Sequence, residues 1–95
     1  MLEITTGEDG TIRMKGRFDA SQVDAATSAL ARVHEDRTVD CAELSYISSA
    51  GLGLLFATQR RLVDAGHEGL RLTNLNPHIR EVFRIAGFDR IFTIL

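Results

Sequence analysis

The hydrophobic period of this chain switches repeatedly between two residues and about 3.6, and nearly every switch is marked by Gly, Pro or a polar cap. Leu2-Glu3-Ile4-Thr5 alternates with period two, and Thr11-Ile12-Arg13-Met14-Lys15-Gly16 does so again after Glu8-Asp9-Gly10, which reads as strand, turn and strand. From Ser21 the spacing lengthens. Val23, Ala26, Leu30 and Val33 fall three or four apart, and Ser21 with Asp24 resembles a capping box, so a helix of about a dozen residues is predicted. Thr38–Ala42 is a short β-branched segment. A second helical stripe, Leu52, Leu55, Phe56, Gln59, Leu62 and Val63, begins near Ser48/Ser49 and stops at Gly66. Leu70–Thr73 alternates as a strand. Asn76-Pro77 opens a third helix with Ile79, Val82, Phe83 and Ala86 on one face and Gly87 at its stop, and Ile91–Leu95 closes the chain as a strand. The order ββαβαβαβ predicts an α/β fold: a mixed, largely parallel β-sheet with crossover helices. At 95 residues the chain has room for one core, so residues 1–95 are expected to form a single domain.

Charge and cysteine content narrow the function classes. Eleven Lys+Arg against thirteen Asp+Glu give a formal charge of −2, with no basic run, which argues against a phosphate-tracking surface for nucleic acid. Cys41 stands alone and cannot close an internal disulfide. Glu3, Glu8, Asp9 and Asp19 occupy the region where a signal peptide would be apolar. No apolar stretch approaches the ~20 residues of a membrane helix. A reduced, cytoplasmic protein without direct membrane insertion is expected. His34, His67 and His78 show no metal-ligand spacing with one another or with Cys41. His34 reads as late in the first helix, where a histidine complements the helix dipole, and His67 as a solvated loop residue. Cys41 in a strand reads as a small buried hydrophobe. No metal, cofactor or catalytic set is predicted, and the protein is not expected to be an enzyme.

Tyr46-Ile47-Ser48-Ser49-Ala50-Gly51-Leu52-Gly53 lies between a predicted strand and a predicted helix. A phosphate-binding loop would need Gly-Lys-Ser/Thr, and there is no lysine. A dinucleotide fingerprint would need a third glycine where Phe56 stands, and a nucleophile elbow would need one where Ile47 stands. Two readings remain. In one, Ser48 or Ser49 is an N-cap worth ~1 kcal/mol and the glycines permit close helix–sheet packing. In the other, a serine at a helix start sits where unpaired N–H groups and the dipole favour an anion, so phosphate is tolerated there. Ala50, Gly51 and Gly53 would then keep the first turn bare for a partner's backbone.

The stretch Leu44 to Leu55 resembles the signature of STAS domains, specifically the small anti-sigma factor antagonists, whose pattern is an apolar pair, Asp, Ser, Ser/Thr/Ala, Gly, Leu, Gly. Gly16-Arg17-Phe18-Asp19 resembles the family's Gly-x-x-Asp after the second strand. Asp40 stands where a polar residue commonly ends the third strand, and Asn76-Pro77 through Gly87-Phe88 is similar to its last helix and following strand. The resemblance implies a STAS-like single domain that carries a phosphorylatable serine, by position Ser49. It implies a partner surface of Asp19, Ser48, Ser49, Ala50, Gly51, Leu52 and Gly53. It also implies an anti-sigma factor partner of the GHKL serine kinase type, released by phosphorylation and regained through a PP2C-type phosphatase, so that the unphosphorylated form frees a sigma factor for transcription.

Ser48 departs from the pattern, standing where the family usually has Asp. It keeps the capping oxygen but loses the carboxylate beside the acceptor, and it becomes a second candidate acceptor itself. The departure gives weight to an alternative: a constitutive STAS interaction subunit, similar to that of bacterial phospholipid-trafficking ABC transporters, using the same surface without phosphorylation.

Overall fold

The computed structural model describes residues 1–95. Five strands, β1 (Leu2–Thr6), β2 (Ile12–Phe18), β3 (Arg37–Ile47), β4 (Leu70–Thr73) and β5 (Thr93–Ile94), form one sheet in the order β1-β2-β3-β4-β5. β1 pairs antiparallel with β2 through the Glu8–Gly10 turn, and every later pairing is parallel. Helices α1 (Val23–Leu30), α2 (Ser49–Asp64) and α3 (Pro77–Ile85) make the crossovers. Because each crossover steps in the same direction along the sheet, the right-handed rule puts all three helices on one face. Burial agrees. Ile12, Met14, Val39, Cys41, Leu70 and Leu72 point into the core, while Arg13, Lys15, Ala42 and Arg71 between them face water. This one-sided covering is why the strands alternate instead of running continuously apolar.

Three interactions lock the helices down. Gln59 of α2 is buried; its Oε1 accepts from the Leu70 N–H at 2.7 Å and its Nε2 donates to the Ile91 carbonyl at 3.0 Å. Arg61 donates to the Val33 and Leu30 carbonyls at 2.8 and 3.0 Å, placing its cation at the C-terminal end of α1, where the dipole is negative. Phe83, Phe88 and Phe92 pack with centroids about 6 Å apart, and Phe56 stacks on Phe88 at 5.7 Å. In β2, Gly16 has φ of 100°, and a Cβ there would lie 2.1 Å from the Met1 carbonyl oxygen, which accepts from Arg17 N–H. Only glycine fits.

Several boundaries differ from the sequence reading. The predicted Ser21–Asp24 capping box does not form: Asp19 caps a short 3-10 turn over Ala20–Gln22, and α1 follows it with eight residues. Val33 is buried but beyond the helix end, and His34 lies in the loop. Val63 and Ala86, placed on apolar stripes by spacing, are exposed. The last strand shrinks to two residues because the Ile91 and Phe92 N–H groups turn back to the Phe88 carbonyl, each at 3.0 Å.

The largest difference is β3, which runs to Ile47 instead of stopping at Ala42. Its register with β2 slips twice, between Arg13 and Lys15 and between Gly16 and Arg17, so its buried residues fall at Val39, Cys41, Leu44 and Ile47. Each bulge adds a residue to the period-two pattern and hides the strand. The Asp40 carboxylate sits at the first bulge. Its Oδ1 accepts from Asn74 Nδ2 at 3.0 Å and from the Ala42 N–H at 3.0 Å, and Arg13 lies 3.7 Å away. The Asn74 amide, the Ala42 N–H and the Arg13 charge hold its pKa below the usual carboxylate value. Asn74 itself has φ of 61°, so Asp40 steadies a strained loop between β4 and α3.

A depressed folded-state pKa means that Asp40 stabilises the fold above the ordinary carboxylate range and that this contribution is lost as pH falls through the lowered value. Asp40→Asn is expected to melt below wild type at neutral pH, with the gap narrowing on acidification. Thermal denaturation of both proteins across this range checks it; a gap that does not narrow would remove the charge from the account.

Candidate functional site

β2 and β3 run parallel and end together, with Phe18 opposite Ile47. Asp19 and Ser48 are the next residues on each strand, so the loop into α1 and the start of α2 leave the sheet side by side. The carboxyl ends of parallel strands are where α/β folds present their sites. The Ser48 N–H donates to the Phe18 carbonyl at 2.8 Å, which carries the ladder one residue past the strand. Ser48 then turns into α2 in extended geometry, with φ of −83° and ψ of 168°.

The two serines do different things. Ser48 is the N-cap: its Oγ accepts from the Gly51 N–H at 3.1 Å, and its carbonyl accepts from the Leu52 N–H at 2.9 Å. Ser49 is the first helical residue, exposed, with its hydroxyl in no hydrogen bond to the protein. No acidic side chain stands in the first turn of α2, so no residue of that turn neutralises the positive end of the helix dipole.

The two glycines also separate. Gly51 is buried, and a Cβ there would lie 2.9 Å from Ile47 Cγ1 and 3.0 Å from the Phe18 ring. It lets α2 sit close on the sheet, so its place on the predicted partner surface is corrected: it faces inward. Gly53 has nothing within 4 Å of where a Cβ would be. Ala50 and Gly53 are exposed beside Ser49, and Leu52 is half-buried against the core. Ser48 and Gly51 serve the fold, while Ser49, Ala50 and Gly53 form a bare outer turn.

Asp19, half-buried, accepts from the Ser21 N–H at 3.0 Å and from the Ser21 hydroxyl. The Ser21 hydroxyl chiefly, then the Ser21 N–H, the chain amino terminus and Arg17, hold its pKa below the ordinary value. It is a fixed negative charge next to the strand end from which Ser48 departs. Two contacts had no signal in the sequence. Arg17 lies 4.2 Å over the Tyr46 ring, paired across β2 and β3. Asn76, the cap of α3, donates from Nδ2 to the Leu44 carbonyl at 3.1 Å, tying a third loop to the bulged strand.

Elsewhere the chemistry is sparse. No three His, Cys, Asp or Glu side chains gather as metal ligands. Cys41 is buried, and desolvation, with Asp40 beside it, pushes its thiol up to about 12, so it stays protonated at neutral pH. No helix is long and apolar enough to cross a membrane.

The family model described as "Mlab, STAS domain" matches residues 2–95. The Bordetella bronchiseptica protein BtrV, named as a candidate anti-sigma factor antagonist, is 42% identical over 77 residues, covering 80% of this chain and 66% of that protein. The chain thus spans just under two thirds of that relative. Among solved structures, an anti-sigma factor antagonist from Mycobacterium paratuberculosis superposes with a TM-score of 0.82 at 19% identity, over 99% of this chain and 83% of that one. The Bacillus cell fate determinant SpoIIAA in its phosphorylated form superposes with a TM-score of 0.71 at 19% identity, over 100% of this chain and 91% of that one. At such identities the structures establish a shared fold.

The division between the glycines is measurable. Gly51→Ala is expected to destabilise by about 1–3 kcal/mol through overpacking against Phe18 and Ile47. Gly53→Ala is expected to be neutral or to stabilise by up to ~1 kcal/mol through helix propensity. Urea denaturation of the two variants decides it, and equal effects would contradict the inward and outward assignment.

Proposed function

The chain belongs to the STAS-domain family, and on that premise we propose that it is an anti-sigma factor antagonist switched by phosphorylation at Ser49. The observation that carries this reading is the division of labour between adjacent serines. The Ser48 hydroxyl is engaged in capping α2, whereas the Ser49 hydroxyl stands free and exposed at the positive end of the same helix. The Ser49 hydroxyl is free to meet a phosphoryl donor, whereas the Ser48 oxygen already accepts the Gly51 N–H.

The energetics suit a binding switch. Unmodified, the outer turn of α2 offers a small, weakly polar surface of Ser49, Ala50 and Gly53, with Leu52 beside them. A phosphate brings about −1.5 to −2 charges. The helix end tolerates it, favouring an anion by ~0.3–1 kcal/mol. A partner closed over this turn does not: a buried charge without a counter-ion costs about 2–5 kcal/mol, or roughly 30- to several-thousand-fold in affinity. Asp19 adds a second negative charge at the same end of the sheet, so the phosphate would turn the local field decisively negative. The partner in this reading is an anti-sigma factor of the GHKL serine kinase type. Binding it releases a sigma factor, phosphorylation ends the complex, and a PP2C-type phosphatase restores it. The protein acts as a regulatory binding module in the cytoplasm, and the chemistry belongs to its partners.

Ser48 in place of the family's Asp favours a second reading, a constitutive interaction subunit that uses the same turn without modification. The two part on a single experiment. With the cognate anti-sigma factor kinase and ATP, phosphopeptide mass spectrometry is expected to find one phosphate on Ser49. It should disappear in Ser49→Ala and persist in Ser48→Ala, which should lose about 1 kcal/mol of stability with its cap. Ser49→Asp is expected to bind the kinase at least ~30-fold more weakly by calorimetry. Phosphate on Ser48, or phosphate retained in Ser49→Ala, overturns the assignment. Undiminished binding by Ser49→Asp favours the constitutive reading.

A further inference from the structure

On the face of the sheet that no helix covers, each exposed cation of β2 meets a side chain of β3 at its own register position. Arg13 lies 3.7 Å from Asp40 and Lys15 lies 3.5 Å from Glu43, both as ion pairs. The third rung, nearest the strand ends, breaks the series. Arg17 stands opposite Tyr46 instead of a carboxylate, with its guanidinium carbon 4.2 Å from the ring centroid. The register slip between Gly16 and Arg17 produces this meeting. It passes over Ser45, whose hydroxyl donates to the Gly16 carbonyl at 3.0 Å, and brings Tyr46 into line with Arg17.

An aromatic face attracts a cation without neutralising it, and it leaves the guanidinium's planar fork of donors open at the edge. Arg17 is exposed and forms none of the protein's ion pairs. Tyr46 is half-buried, so the cation rests on a fixed platform and has less side-chain freedom to lose on binding. The pair also belongs to the end of the sheet that carries Ser49. Arg17 and Tyr46 immediately precede Phe18 and Ile47, from which the Asp19 and Ser48 turns depart. The Ser21 hydroxyl chiefly, and with it the Arg17 charge, holds the Asp19 carboxyl below its ordinary value.

A stable protein complex buries about 800 Å² on each partner, far more than the outer turn of Ser49, Ala50 and Gly53 can supply. A partner closed over Ser49 therefore extends onto adjoining surface. We propose that Arg17 and Tyr46 are part of that docking surface, with Arg17 taking a carboxylate of the anti-sigma factor kinase in a charge-assisted, bidentate contact. This role rests on the Ser49 reading and deepens it: Ser49 decides when the partner binds, and Arg17 helps decide which partner binds. A rival protein that brings a cation to this spot meets an unneutralised guanidinium and is disfavoured.

Calorimetric titration of the full chain with the cognate anti-sigma factor kinase tests the assignment. Arg17→Met is expected to weaken binding about tenfold or more while melting close to wild type, because the side chain is exposed. Arg17→Glu should weaken it further. Lys15→Met removes the same charge from the same face, but from a residue already paired with Glu43, and should bind as wild type. Added NaCl should weaken the wild type more steeply than Arg17→Met, a difference that a purely structural role would not produce. Full-strength binding by Arg17→Met, equal losses in Lys15→Met, or equal salt dependence of wild type and Arg17→Met overturns the assignment. Should Arg17→Met bind fully while Ser49→Asp is weakened, the Ser49 reading stands alone; should the wild type not bind, both fall. Weakened Arg17→Met beside undiminished Ser49→Asp supports the docking surface and overturns the switch.

Discussion

The close seating of Gly51 on Phe18 and Ile47 governs what the rest of the candidate site can present. The first turn of α2 lies so close to the ends of β2 and β3 that a Cβ at this position would stand only about 3 Å from the Phe18 ring and Ile47 Cγ1. The Phe18 carbonyl can then take the Ser48 N–H and the Ser48 oxygen can cap Gly51. The helix is fixed in rotation by these contacts. Ser49, Ala50 and Gly53 face outward because Gly51 and Leu55 face inward. A site built on a helix anchored in this way is held more rigidly than one carried by a loop, which suits a surface recognised by its shape and altered by a single charge.

The remainder of the fold supports this seat. Two bulges let β3 carry extra residues against β2, so that it ends with Ile47 opposite Phe18 under the start of α2. Asp40 and Asn76 secure the bulged strand from the side, one through Asn74 and the other through the Leu44 carbonyl. At the far end of α2, Gln59 and Arg61 bind it to β4, to the segment before β5 and to the end of α1. α2 is thus held at its start by backbone and at its far end by buried polar side chains. Its exposed face is left without structural duties.

Much of this was legible in the sequence because one-sided covering imposes period two on the strands, and because Gly66, Gly87 and Asn76-Pro77 punctuate the helices by local chemistry. The element order and the mixed sheet follow from those signals. What stayed hidden had physical causes. β3 beyond Ala42 was masked by its bulges, and α1 was misplaced because Asp19, not Ser21, supplies the cap. Val63 and Ala86 fit the spacing of apolar stripes but lie past the reach of the core. At the candidate site the motif located both serines and both glycines. Assigning Ser48 and Gly51 to the fold and leaving Ser49 and Gly53 on the surface required three-dimensional contacts that a one-dimensional pattern does not carry.

The proposed switch at Ser49 sits on a turn that is expected not to move when it is modified. The most direct measurement is an NMR comparison of backbone amides in the chain with serine and with phosphoserine installed at position 49. Shifts are expected to stay within the first turn of α2 and the adjoining Asp19–Gln22 turn, with the Ser48 cap and the remaining sheet unchanged. Shifts spreading through β3 and β4, or loss of protection at the Gly51 amide, would contradict it by showing that the phosphate acts through a rearrangement of the fold.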